Sequence, residues 1–179
     1  MPATTLSDTS TALAATRANV DDMLKTVHQS DAFWNVPRAP GKWSPSQVVE
    51  HVALAMEETV NDLLGRPSKF PKMPTLLRPL VRTVLFNRVV RNGKFPKAKT
   101  NAAMTPAKGP ESPAAASTRM ATALATLEAG VAEARARGKD CTSQTFGAVS
   151  VADYVIFQAV HVKHHHEQKQ AQARASARA

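Results

Sequence analysis

Histidine is the residue type that could carry chemistry in this chain. Five of its six histidines fall in two places, His51 alone and His161, His164, His165 and His166 together, while His28 stands apart. A neutral imidazole is a ligand for Zn, Ni, Fe or Mn. Positions 161 and 165 lie four residues apart, so on a helix their rings project from one face, one turn apart, and can share an ion. His164 and His166 then point to the sides. The third ligand has to come from another element, and His51, in register with Val48 and Ala55, faces the interior of its own helix. Three imidazoles leave about one to three coordination positions for water or substrate, the pattern of an open, catalytic site rather than a closed structural one. Gln158 and Gln168, three residues before His161 and three after His165, and Glu58, seven after His51, are candidates to support a ligand or bound water from behind. No residue is singled out as an acid, base or nucleophile. The spacing also admits a blander reading, a solvated polar end of a helix. Against that stands the cost of burying several polar rings with nothing to satisfy them.

These residues need helices to position them, and the chain reads as helical throughout. Apolar residues recur at helical spacing from Ser7 to about His28 (Leu13, Val20, Met23, Leu24, Val27). Asp31 to Lys42, with Pro37, Pro40 and Gly41, predicts a linking loop whose Phe33 and Trp34 plug one end of a bundle. Ser44, Pro45 and Gln47 form a capping box with proline at the first helical position. The helix they start carries the stripe Val48, Val52, Ala55, Met56, Thr59 and Leu63 and ends at Gly65-Arg66-Pro67. A third, basic amphipathic helix is predicted from Leu76, Leu77, Leu80, Val81, Val84, Leu85 and Val89, kinked or begun at Pro79. Gly93 to Pro113 is expected to be a long, partly mobile loop. Ser112-Pro113 starts a helix that runs to about Arg137, with Gly138 after it, and Ser150 caps the last helix. Residues 1–6 and those beyond Gln170 read as disordered or fraying tails. No alternating run of strand length stands out. The expectation is an all-α, antiparallel four-helix bundle in one domain over residues 1–179, with a basic insert at 67–112.

Charge is unevenly distributed. Between Leu63 and Pro110 there is no Asp or Glu but eleven Lys and Arg, so this segment is +11 and, with a net charge of +9, the remainder is −2. Such a field attracts anionic ligands, phosphate backbones or acidic membrane surfaces. Nucleic-acid binding wants aromatic stacking as well, and the segment's aromatics are only Phe70, Phe86 and Phe95, which favours a solvated basic face. The lone Cys141 excludes an internal disulfide and has no neighbouring base that would make it a nucleophile. With no run long and apolar enough to span a bilayer and no secretory leader pattern, a cytoplasmic, soluble protein is expected. Trp43, before the cap, could line the site, but an aromatic at a helix start more often packs as a hydrophobic staple, and that is the expectation.

Two segments resemble paired signatures of the DinB-like superfamily of metal-binding helical bundles. Gly41 to Ala53 (GKWSPSQVVEHVA) is similar to that family's Trp-Ser…His element, and Tyr154 to Gln168 (YVIFQAVHVKHHHEQ) to its His-x-x-x-His-x-x-Gln element, matched by His161, His165 and Gln168. The Phe146-Gly147 lead-in and the His-x-x-His-His pattern resemble an uncharacterised branch of the superfamily, a domain of unknown function. The resemblance implies a Zn, Ni, Mn or Fe ion on His51, His161 and His165. It also implies a small-molecule substrate, since relatives include transferases and isomerases that use low-molecular-weight thiols such as mycothiol, bacillithiol or glutathione. A metal-dependent thiol transferase or hydrolase is the leading expectation. The alternative is a non-catalytic protein whose basic 63–110 segment contacts an anionic partner such as nucleic acid. Whether the chain forms a homodimer stays open.

Overall fold

The structure, a computed structural model, describes residues 8–28, 33–37, 39–96, 100–138 and 140–176, with the side chains of residue 28 and of 169–176 left out of the description. The mobile-tail expectation for residues 1–6 falls outside these limits. Four long helices dominate: α1 (Thr9–His28), α2 (Pro45–Leu63), α5 (Pro113–Ala136) and α6 (Val151–Ser176). Between α2 and α5 lie two short helices, α3 (Arg78–Val81) and α4 (Asn87–Asn92), joined by a π-helical turn (Arg82–Phe86). A two-stranded antiparallel hairpin, β1 (Cys141–Ser143) and β2 (Gly147–Val149), precedes α6 and pairs Cys141 with Val149.

The helix boundaries follow from local chemistry. The Ser44 side chain accepts from the Gln47 N–H while the Gln47 side chain accepts from the Ser44 N–H, and Pro45 occupies the first turn. Gly65, at φ +69°, lets the chain leave α2 through the left-handed region. Ser112 and Ser150 cap α5 and α6 by accepting from the Ala115 and Asp153 N–H groups. α6 continues as helix through 171–176, where a fraying tail was expected.

The long helices bury one face each, α1 chiefly against α6 and α2 against α5, with α2 also meeting α6. Met23, Val27, Val49, Val52, Met56, Met120, Leu127 and Val155 are almost wholly enclosed. Each removes a full apolar side chain from water, worth about 1.5–3 kcal/mol. Trp34 plugs the end of the core as expected, its indole N–H donating to the Pro110 carbonyl at 2.7 Å, but Phe33 remains 64% exposed.

Two expectations need correction. The hairpin was not foreseen, because strands of three residues are too short for a period-two pattern to register. The expected third helix is not one regular helix, since a 3₁₀ turn at Thr75–Leu77, α3, the π turn and α4 follow one another, and of its apolar stripe Leu76, Leu77, Leu80 and Val84 are exposed while Val89, with the neighbouring Phe86, is buried. The π turn over Arg82–Phe86 underwinds the helix, so the burying face after it is not a continuation of the stripe before it. Phe86 then anchors the insert, stacking on Phe157 of α6 with centroids 5.0 Å apart and meeting Phe146 at 4.9 Å.

Candidate metal centre

Two helices and one loop build the centre. α2 places His51 in its second turn, 5% exposed, among Val48, Val52 and Ala55. α6 places His161 and His165 one turn apart, facing α2. The three rings converge through the same atom. His51 Nε2 lies 3.2 Å from His161 Nε2, and His165 Nε2 lies 3.1 Å from His161 Nε2. All three ligand atoms fall within 4.8 Å of one another. Nitrogens about 2.0–2.1 Å from a zinc ion at tetrahedral angles stand about 3.3–3.4 Å apart, so two of the three separations are already close to ligand spacing.

The loop between α4 and α5 supplies what spacing in the sequence did not reveal. The Met104 carbonyl, in a 3₁₀ turn at Ala102–Met104, lies 2.8 Å from His51 Nδ1. A carbonyl oxygen only accepts, so Nδ1 carries the proton and Nε2 presents its lone pair toward His161. This is the arrangement in which a backbone oxygen fixes the tautomer of a ligating histidine. A main-chain carbonyl has no signature in a sequence, and the loop that carries it was expected to be mobile.

Burial reinforces the neutral state. It lowers the pKa of His51, opposed only by the Met104 hydrogen bond. It lowers that of His161 well below the usual imidazole range, helped by the nearby rings of His165, His51 and His164. Neutral rings are the ones that ligate a metal. His161 Nδ1 is buried and makes no hydrogen bond among the described residues. The donor set, two same-face imidazoles and a third with a fixed tautomer, suits a borderline divalent ion.

Aromatic rings wall the centre. Trp43 packs on His51 with ring centroids 4.7 Å apart, so of its two sequence readings the less favoured one, a residue lining the site, describes its position. Phe95, three residues past the end of α4, lies 5.3 Å from His161 and 4.8 Å from Phe157. On its other side, α6 offers a pocket of about 160 Å³ with Lys94, Phe95, Val160 and His164 in its lining.

The remaining sequence candidates have other partners. Gln158 is buried one turn before His161, its Oε1 3.4 Å from Thr59 Oγ1, and its amide nitrogen has no hydrogen-bond partner among the described residues. The Glu58 carboxylate accepts from the Lys69 N–H at 2.8 Å and from Asn61, fastening the start of the insert. Gln168 meets His164, Nε2 to Nε2 at 2.9 Å, and His166 lies 3.3 Å from Thr26 of α1. None of the side-chain contacts of Glu58 or Gln168 reaches the three converging nitrogens.

The DinB superfamily model matches residues 12–168, a span that contains all three histidines. No curated protein and no solved structure matches the chain.

Proposed function

Because the chain belongs to the DinB superfamily, we propose that it is a metal-dependent member whose divalent ion, Zn, Ni, Mn or Fe, is held by His51, His161 and His165. The observation that carries this reading is the convergence of three imidazole Nε2 atoms on one point, with His51 locked in the ligating tautomer by the Met104 carbonyl. The reaction class we favour is a transferase or hydrolase acting on a small molecule, with a low-molecular-weight thiol as a candidate co-substrate. When bound, the ion supplies Lewis acidity that lowers the pKa of a coordinated thiol or water.

The protein's own residues prepare the site. Burial keeps His51 and His161 uncharged and ready to ligate. Trp43 and Phe95 restrict ring motion and keep bulk water from two sides. Three protein ligands leave coordination positions open. We read the four long helices as an antiparallel bundle in a single domain and residues 67–112 as an insert that walls the site.

Elemental analysis tests the reading. Protein incubated with Zn, Ni or Mn and desalted is expected to retain close to one metal ion per chain. His51→Ala and His161→Ala are expected to lose it while keeping the helical circular-dichroism spectrum. Absence of bound ion after all three incubations would sink the proposal.

A further inference from the structure

The helical part of the insert leaves an apolar edge in solvent. Leu76 is 93% exposed, Leu80 60%, Val84 59% and Leu77 45%. Among the described residues only two other large hydrophobic side chains, Phe33 and Val36, are comparably open, and these lie in a different loop. Leu76, Leu80 and Val84 follow at four-residue intervals along the segment, one in each of its first three helical turns, and all three open to solvent. Exposed basic residues flank them in the chain, with Lys69 and Lys72 before and Arg88 and Arg91 after. The opposite edge is fixed to the body of the molecule by Phe86 and Val89, so the exposed row is held outward.

An exposed apolar row in a segment that contains no Asp or Glu marks an interaction site. Three occupants compete. A second copy using the same face would bring together two stretches that each carry six basic residues (Lys69, Lys72, Arg78, Arg82, Arg88 and Arg91) and no acidic one, which repulsion disfavours. Nucleic acid would meet the positive charge but gains little from aliphatic side chains, and Phe86, the central aromatic of the segment, is buried. An anionic lipid surface satisfies both features at once, since leucine and valine enter the headgroup–acyl boundary while lysine and arginine stay among the headgroups. No described helix is long and apolar enough to cross a membrane, so contact would be along the surface.

We infer that the segment from Lys69 to Arg91 is a peripheral docking face for anionic membranes, with Leu76, Leu77, Leu80 and Val84 as the inserted row. This rests on exposure and charge and is independent of the metal centre. The test is co-sedimentation of the full chain with phosphatidylcholine vesicles, with and without phosphatidylserine. Binding is expected only to the mixed vesicles and should weaken at high salt. The triple variant Leu76→Gln, Leu80→Gln, Val84→Gln changes side chains that lie mostly in solvent, at 93%, 60% and 59% exposed. It should keep the parent's melting temperature and bind at least about tenfold more weakly. Failure of the parent to bind mixed vesicles, or undiminished binding by the triple variant, would overturn the inference. So would a parent that sediments as a dimer which the triple variant dissociates, because the face would then belong to a second copy.

Discussion

The imidazole of His51 is engaged on all sides: Nδ1 donates to the Met104 carbonyl, Nε2 faces His161, and the ring packs against Trp43. Two of these three relations were legible from residue types. A histidine on the apolar face of α2 and a same-face pair on α6 need only helical spacing to be brought opposite one another, and the Trp-Ser start of α2 places Trp43 nearby. The carbonyl was not legible, since any residue at 104 carries one. Asp62 was missed for a different reason: nothing local marks an acidic residue as buried. Its carboxylate accepts from Tyr154 Oη at 2.7 Å and from the Gln144 N–H at 3.0 Å, tying α2 to the hairpin and α6. Cys141, read as inert from its isolation, sits in this group and donates to the Asp62 carbonyl. Burial, with the charges of Asp62 and Asp140, pushes its thiol up to about 12. A thiol is nucleophilic only as thiolate, so at neutral pH Cys141 should resist a thiol reagent such as iodoacetamide in the native protein and react once denaturant is added. Rapid labelling of the folded chain would contradict that placement.

At the scale of elements, boundaries were readable where a cap chemistry announces them, as at Ser44, Ser112 and Ser150. Orientation was not readable where a helix touches the body along one edge only. The leucine stripe of the insert has the periodicity of a buried face, but periodicity reports that apolar residues align and says nothing about what they align against. Close approach between helices is likewise decided by partners distant in sequence. Gly130 of α5 lies so near α2 that a Cβ there would come within 2.4 Å of Val60 Cγ1. Alanine would favour the helix by about 1 kcal/mol, but overpacking against a stiff β-branched side chain costs about 1–3 kcal/mol. Gly130→Ala is therefore expected to be net destabilising in denaturant melts, and Val60→Ala in the same chain should recover much of the loss. A stabilised single variant would show that α2 and α5 separate readily.

Across the whole molecule, the metal centre joins α2 to the middle of α6, through histidines more than a hundred positions apart in the chain. An ion bound there by the native state alone stabilises it by mass action, about 2.7 kcal/mol at a free concentration 100 times the dissociation constant. For a chain of this length that corresponds to a rise in melting temperature of roughly 5–10 °C. The rise should vanish in His51→Ala and be reversed by a chelator. If zinc, nickel and manganese all leave the melting temperature unmoved, the three histidines are a packing cluster.

The Met104 carbonyl carries one more consequence, for how this centre responds to mutation. The hydrogen bond that sets the His51 tautomer comes from the main chain, so replacing the side chain at 104 leaves the oxygen in place. What holds that oxygen is the path of the loop. Asn101 caps the turn, the Gln47 side-chain amide holds the carbonyls of Pro106 and Ala107, and Gly109 lies so close to α2 that a Cβ would meet the Ser46 carbonyl oxygen at 2.0 Å. The centre is thus tolerant of substitution at this position and intolerant of a change in loop length, so that adding or deleting a single residue between 100 and 109 would disarm His51 without touching any ligand.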